Sequence, residues 1–224
     1  RPGADEGKVY ILERAKIQVY DVYYADYLEE GIGYIRLAEF SKGSTAEVRQ
    51  AIENFKDHDR LEALILDLRG NPGGLLTEAL TVAELFTQPG DTLLFTRGQN
   101  ESSNRVDVAR RRPLLDESVK IAVLIDGGSA SASEIVAGII QDLDRGIVLG
   151  TPSFGKGLVQ TVFRVDKEHS LKITTAKYYL PSGRLIQKPD YIKNPKLIAA
   201  SPSQDSIFYS RHKRQLKSKG GITP

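Results

Sequence analysis

Val119-Lys-Ile-Ala-Val-Leu-Ile125 runs without interruption into Asp126-Gly-Gly-Ser-Ala-Ser-Ala-Ser-Glu134 and then into Ile135-Val-Ala-Gly-Ile-Ile140. An apolar run, a turn of small residues and a second apolar segment of helical character predict strand, turn and helix in succession. The turn places three serines where a helix begins and its first N–H groups lack partners, so a hydroxyl there sits beside several unpaired donors. Ser129, Ser131 and Ser133 can each cap the helix, with Glu134 favoured in its first turn by the dipole. One of them can instead be a nucleophile. The residues alone leave both readings open.

Thr151-Pro-Ser-Phe-Gly-Lys-Gly-Leu-Val-Gln160 follows one short segment later. A lysine between two glycines at the start of a β-like run can be approached closely by another backbone, and strand alternation would put Lys156, Leu158 and Gln160 on one face. Serine is a weak nucleophile that needs an adjacent base. A lysine amine serves as that base only when neutral, a form that burial among apolar groups favours. A glutamine amide orients such an amine without adding charge.

Upstream, the apolar run Leu61 to Leu68 ends in Asp67-Leu-Arg69 and leads into Gly70-Asn-Pro-Gly-Gly74, followed by a helical pattern from Leu75 to Phe86. The run suits a strand buried on both faces of a parallel sheet. Glycines at a strand-to-helix turn are either a tight left-handed turn or a place where backbone N–H groups converge on an anion. Strand and helix alternate along the chain, with glycine-rich turns where strands end. That pattern predicts an α/β layered core with a largely parallel sheet.

Gly128 to Glu134, Thr151 to Gln160 and Thr174-Thr-Ala-Lys-Tyr-Tyr-Leu-Pro-Ser-Gly-Arg184 together resemble the carboxyl-terminal processing peptidases, or tail-specific proteases. The resemblance runs colinearly from about Gly31 to the end. It implies Ser131 as nucleophile, Lys156 as base, Gln160 as the residue that assists the lysine, and the Ala132 N–H with Gly73 or Gly74 as oxyanion donors. It also sharpens the fold to a Clp protease/crotonase-like core of ββα units, with a small β subdomain built from the N-terminal strands and the hairpin at 158–180.

By the same resemblance, residues 1–16 are the end of a mostly missing PDZ domain and 17–30 a linker strand. Residues 31–190 are then the protease core, and 191–224 a truncated segment packing back on it. The implied activity is that of a serine endopeptidase acting near flexible C-terminal tails of protein substrates, in the periplasm or another extracytoplasmic compartment, with no cofactor. Homo-oligomer formation or an adaptor is the implied means of regulation. Two rivals use the same fold: a non-proteolytic binding module, which has no use for Ser131, Lys156 and Gln160 together, and a crotonase-like acyl-CoA enzyme, which needs no inward lysine.

Composition narrows the field further. With 31 Lys+Arg against 29 Asp+Glu, nothing indicates a nucleic-acid or membrane-surface binder. The absence of cysteine excludes disulfides, zinc thiolates and a cysteine nucleophile. None of His58, His169 and His212 has carboxylate neighbours at ligand spacing, so neither a metal site nor a Ser/His/Asp triad is expected. Ser44-Thr-Ala-Glu47 predicts a capping box opening a helix to about Lys56. Gln99 to Pro113, with its triplet Arg110 to Arg112, reads as a polar loop.

Overall fold

The computed structural model describes residues 10–11, 13–15, 19–58, 61–99, 101–188, 207–218 and 220–224. Its elements in chain order are β1 (Val22–Glu29), β2 (Ile32–Leu37), α1 (Ser44–His58), β3 (Ala63–Asp67), α2 (Leu76–Glu84) and β4 (Thr92–Gly98). After a short 3₁₀ turn come β5 (Arg105–Val108), β6 (Lys120–Ile125), α3 (Ala132–Asp142), β7 (Ile147–Gly150), β8 (Leu158–Arg164) and β9 (Ser170–Tyr179). β10 (Phe208–Tyr209) and β11 (Gln215–Leu216) close the chain. Most of the assigned PDZ remnant and the proline-interrupted stretch Pro189 to Ser206 lie outside the described residues.

The main sheet has the order β1-β2-β3-β6-β7, with β1 antiparallel to β2 and every other pair parallel. Its register is set by apolar rows. Ile35 is opposite Leu66, Leu66 opposite Val123 and Val123 opposite Val148, and all four are buried. A slip of one residue in any strand would turn its apolar set to the other face. α1 packs on β1 and β2, α3 on β6 and β7, and α2 touches both helices. Three adjacent parallel strands, β3, β6 and β7, therefore end side by side, and each releases one of the loops singled out from the sequence. The crevice beyond the carboxyl ends of parallel strands is where α/β sheets bind ligands.

The second sheet has the order β5-β4-β9-β8 and is antiparallel throughout. Here the sequence reading is corrected twice. The N-terminal strand β1 belongs to the main sheet, paired with β2, while the hairpin β8–β9 lies in the smaller sheet as expected and pairs there with β4. Arg105-Val-Asp-Val108, placed in a polar loop, is strand β5. Three of its four residues are exposed, so no buried face marked it.

The capping box at α1 is also replaced. The Glu47 carboxylate accepts from the N–H groups of Asp21 and Val22 at 2.8 and 2.9 Å, which anchors the entry to β1. The start of α1 is capped from α2, whose Glu78 carboxylate accepts from Gly43 N–H and Thr45 N–H. A carboxylate from a neighbouring helix satisfies the orphan donors as well as a local one does.

At the end of β3 Asp67 is fully buried. It accepts from the Tyr34 hydroxyl at 2.6 Å and from Arg69 Nε and Nη2 at 3.0 and 2.6 Å. Burial alone would raise its pKa, but the bonds from Arg69 and Tyr34 outweigh that and hold it below the usual carboxylate range. A depressed folded pKa gives stability that is present above the unfolded value, about 3.9, and is lost as pH falls through the folded value. Asp67→Asn is therefore expected to cost about 2 kcal/mol near neutrality. In urea titrations its deficit relative to wild type should shrink below about pH 4. A deficit that stayed constant down to pH 2 would show that the charge of Asp67 does not stabilise the fold.

Candidate active site

Ser131 is the residue just before α3, and its backbone stands at φ 55, ψ −110. A non-glycine residue held there costs about 1–3 kcal/mol and persists only where its surroundings impose it. Those surroundings are visible. Ser131 N–H donates to Glu134 Oε2 at 2.8 Å, and the Ser131 carbonyl accepts from Ile135 N–H at 3.0 Å. The glycine loop closes the other side, where a methyl on Gly73 would stand 2.6 Å from the Ala130 carbonyl oxygen and 2.9 Å from Ser131 Cβ.

The three serines have different duties. Ser129 Oγ donates to the Leu68 carbonyl at 2.7 Å and Ser133 Oγ to the Asn71 carbonyl at 2.9 Å, and both residues are fully buried. Ser133 ties the turn to the 70–74 loop, and Ser129 ties it to the end of β3. Ser131 is half-buried and forms a capping box with Glu134 at the start of α3. The hydroxyls of Ser129 and Ser133 are thus taken by upstream carbonyls, and that of Ser131 is not.

Ala132 opens α3, so its N–H has no acceptor within the helix. Of the two candidate glycines, Gly73 already donates its N–H to Asn71 Oδ1 at 2.9 Å, whereas the Gly74 N–H has no acceptor among the described residues. Asn71, fully buried, also donates to the Leu37 carbonyl and accepts from Ala130 N–H. It is the peg that fixes the loop against the serine turn.

Lys156 reaches the site through its backbone. Its N–H donates to Glu134 Oε2 at 2.8 Å, the same oxygen that holds Ser131 N–H. The other carboxylate oxygen accepts from Ser153 Oγ and from Gly155 N–H, both at 2.6 Å. Glu134 is fully buried and thus clamps the serine turn and the lysine segment to one another. Among the described residues Ser131 Oγ and Lys156 Nζ share no hydrogen bond. The Tyr178 hydroxyl donates to the Lys156 carbonyl and is also bonded to the Ser131 side chain. Burial and then the charge of Glu134 push its pKa well above the usual phenol value, so this hydroxyl is neutral.

Gln160 does not stand where alternation put it. A register shift lies between Val159 and Gln160 in β8, so the period of two is interrupted there. Leu158 is buried while Gln160 is exposed, and no hydrogen bond joins Gln160 to Lys156 among the described residues. Sequence reasoning also gave Glu134 too small a part. Its position three residues after Ser131 is the capping-box spacing, a signal that a carboxylate would hold the Ser131 N–H. Nothing local marked its bonds to Ser153, Gly155 and Lys156. The described histidines stay outside the site: His169 pairs with Asp166 at the hairpin turn, and His212 is largely exposed. Among the described residues no group of three His, Cys, Asp or Glu could hold a metal ion, and no helix is long and apolar enough to cross a membrane.

Residues 31–193 match peptidase family S41. The carboxy-terminal-processing protease of Bartonella bacilliformis is 44% identical over 163 residues, covering 71% of this chain and 37% of that protein. The chloroplastic C-terminal processing peptidase of Tetradesmus obliquus is 33% identical over 174 residues, covering 76% of this chain and 37% of that one. Among solved structures the photosystem II D1 C-terminal processing protease superposes with a TM-score of 0.60 at 35% identity, over 70% of this chain and 39% of that one. The chain spans less than half the length of these relatives.

Proposed function

Because the chain belongs to peptidase family S41, we propose that it is the proteolytic core of a serine endopeptidase that trims proteins near flexible C-terminal tails. The observation that carries this reading is Ser131, held at φ 55 on the mouth of α3 while its two neighbouring serines are committed to structural bonds. In the proposed reaction Ser131 Oγ attacks the peptide carbonyl, and neutral Lys156 takes its proton and delivers it to the leaving amine. The N–H groups of Ala132 and Gly74 stabilise the oxyanion. Water, activated by the same amine, then releases the acyl group.

For this to happen the Lys156 amine must meet the Ser131 hydroxyl, which is bonded to Tyr178. Gln160 assists the amine only if the strand re-registers at the bulge after Val159. Catalytic contacts commonly tighten when substrate binds, and a peptide lying against β8 is the natural trigger. Substrate tails are presented by a PDZ domain preceding the core, and the enzyme works in the periplasm or an equivalent extracytoplasmic compartment.

A folded reporter carrying a flexible, apolar-ended tail, compared with the same reporter whose tail ends in two aspartates, tests the substrate class. Mass spectrometry should find the first shortened from its C-terminal side and the second intact. Equal cleavage of both, or cuts spread through the folded part, would overturn it.

A further inference from the structure

Resting on the reading of Ser131 and Lys156 as the reacting pair, we propose that Ser153 and the backbone of Gly221–Ile222 are positioning elements of the active site, acting through Glu134. Ser153 is fully buried and three residues before Lys156. Its Oγ donates to Glu134 Oε1 at 2.6 Å and accepts from Ile222 N–H at 2.7 Å, while its own N–H donates to the Ile222 carbonyl at 3.0 Å. A hydroxyl has one proton and a rotor that suits its neighbours. With the Ile222 N–H occupying a lone pair of Oγ, the proton is aimed at the carboxylate. That carboxylate in turn holds Ser131 N–H and Lys156 N–H.

The far end of this relay is anchored on the helix that carries the nucleophile. Ile222 is fully buried, and a methyl added at Gly138 of α3 would stand 3.1 Å from its Cδ1. Gln141 of α3 donates to the Thr223 carbonyl at 2.7 Å. Gly221 N–H donates to the Ile186 carbonyl at 3.0 Å, which holds the segment from its other side. Close approach demands glycine at 221. Its φ is +96, and a Cβ there would fall 2.6 Å from both the Ser153 carbonyl oxygen and Oγ. The segment thus bridges α3 and the lysine loop from behind, and its N–H sets the Ser153 hydroxyl between them.

The test is carried out on the intact protein with Ser153→Ala, Ser153→Thr, Gly221→Ala and the double variant Ser153→Ala/Gly221→Ala. Tail cleavage gives kcat and KM separately, and phosphonylation by a fluorophosphonate, with loss of fluoride, reports on Ser131 without a peptide. Ser153→Ala and Gly221→Ala are each expected to lower kcat about 10- to 100-fold, the scale of a small misplacement of reacting groups, with KM within about threefold. Ser153→Thr, which keeps the hydroxyl, should recover most of the loss, and the double variant should be no worse than Ser153→Ala. Losses that multiply in the double variant, a threonine that fails to rescue, or wild-type kcat in Ser153→Ala would each overturn the relay. If Gly221→Ala does not fold, the Ala and Thr variants at 153 decide the matter. Activity persisting in a Ser131→Ala control would remove the catalytic reading itself, an outcome distinct from failure of the relay.

Discussion

Ser131→Ala and Lys156→Ala are each expected to lower kcat for tail cleavage by a factor on the order of ten thousand, and the double variant should fall no further. The reason is the division of labour in the turn. The hydroxyls of Ser129 and Ser133 are committed to the Leu68 and Asn71 carbonyls and cannot stand in for Ser131. In the reaction proposed here, a nucleophile without its base or a base without its nucleophile performs the same null step, so the losses do not add. Lys156→Arg should be as inactive as Lys156→Ala, because a guanidinium stays protonated and cannot accept the proton. Residual turnover measured with purified single and double variants decides the point. Losses that multiply would mean the two side chains act in separate steps.

Glu134→Ala is expected to cost about 3–5 kcal/mol of stability, because it leaves four donors, two buried and two part-buried, without an acceptor. Those donors are Ser131 N–H, Lys156 N–H, Gly155 N–H and the Ser153 hydroxyl. Glu134→Gln is the more informative change. An amide keeps the shape but turns an NH2 toward two of these donors, so one pair is replaced by repulsion. The Gln variant should remain folded with kcat down about 100-fold, the scale of a small misplacement at the reacting centre. Urea unfolding and kcat measured on the same preparation separate the two effects. A Gln variant of wild-type activity would show that the clamp is not needed for the geometry of the reaction.

Much of the frame could be read from local pattern. The apolar runs at 61–68 and 119–125 give the central parallel strands, and the glycine-rich and serine-rich turns after them stand at carboxyl ends of β3 and β6. What escaped was set at a distance. No spacing within Ser129 to Ser133 says which hydroxyls are given to the upstream segment, since the acceptors that claim two of them, on Leu68 and Asn71, lie about sixty residues away. The bulge after Val159 is a property of pairing with β9, so strict alternation placed Gln160 on the wrong side. The partner of the 158–180 hairpin within the smaller sheet escaped for a similar reason. β4 and β9 meet only in three dimensions, and β5 carries too little buried surface to announce itself.

The bond from Ile222 to Ser153 spans 69 positions of sequence. Contacts so far apart form late, because loop closure must precede them, and during synthesis the N-terminal part of a chain folds first. Ser131, Glu134 and Lys156 therefore leave the ribosome and can pack before the segment that sets Ser153 exists. A nascent chain carries its serine turn without that brace through that interval. In the mechanism proposed here, the support of the reacting geometry is therefore the last part of the site to be made.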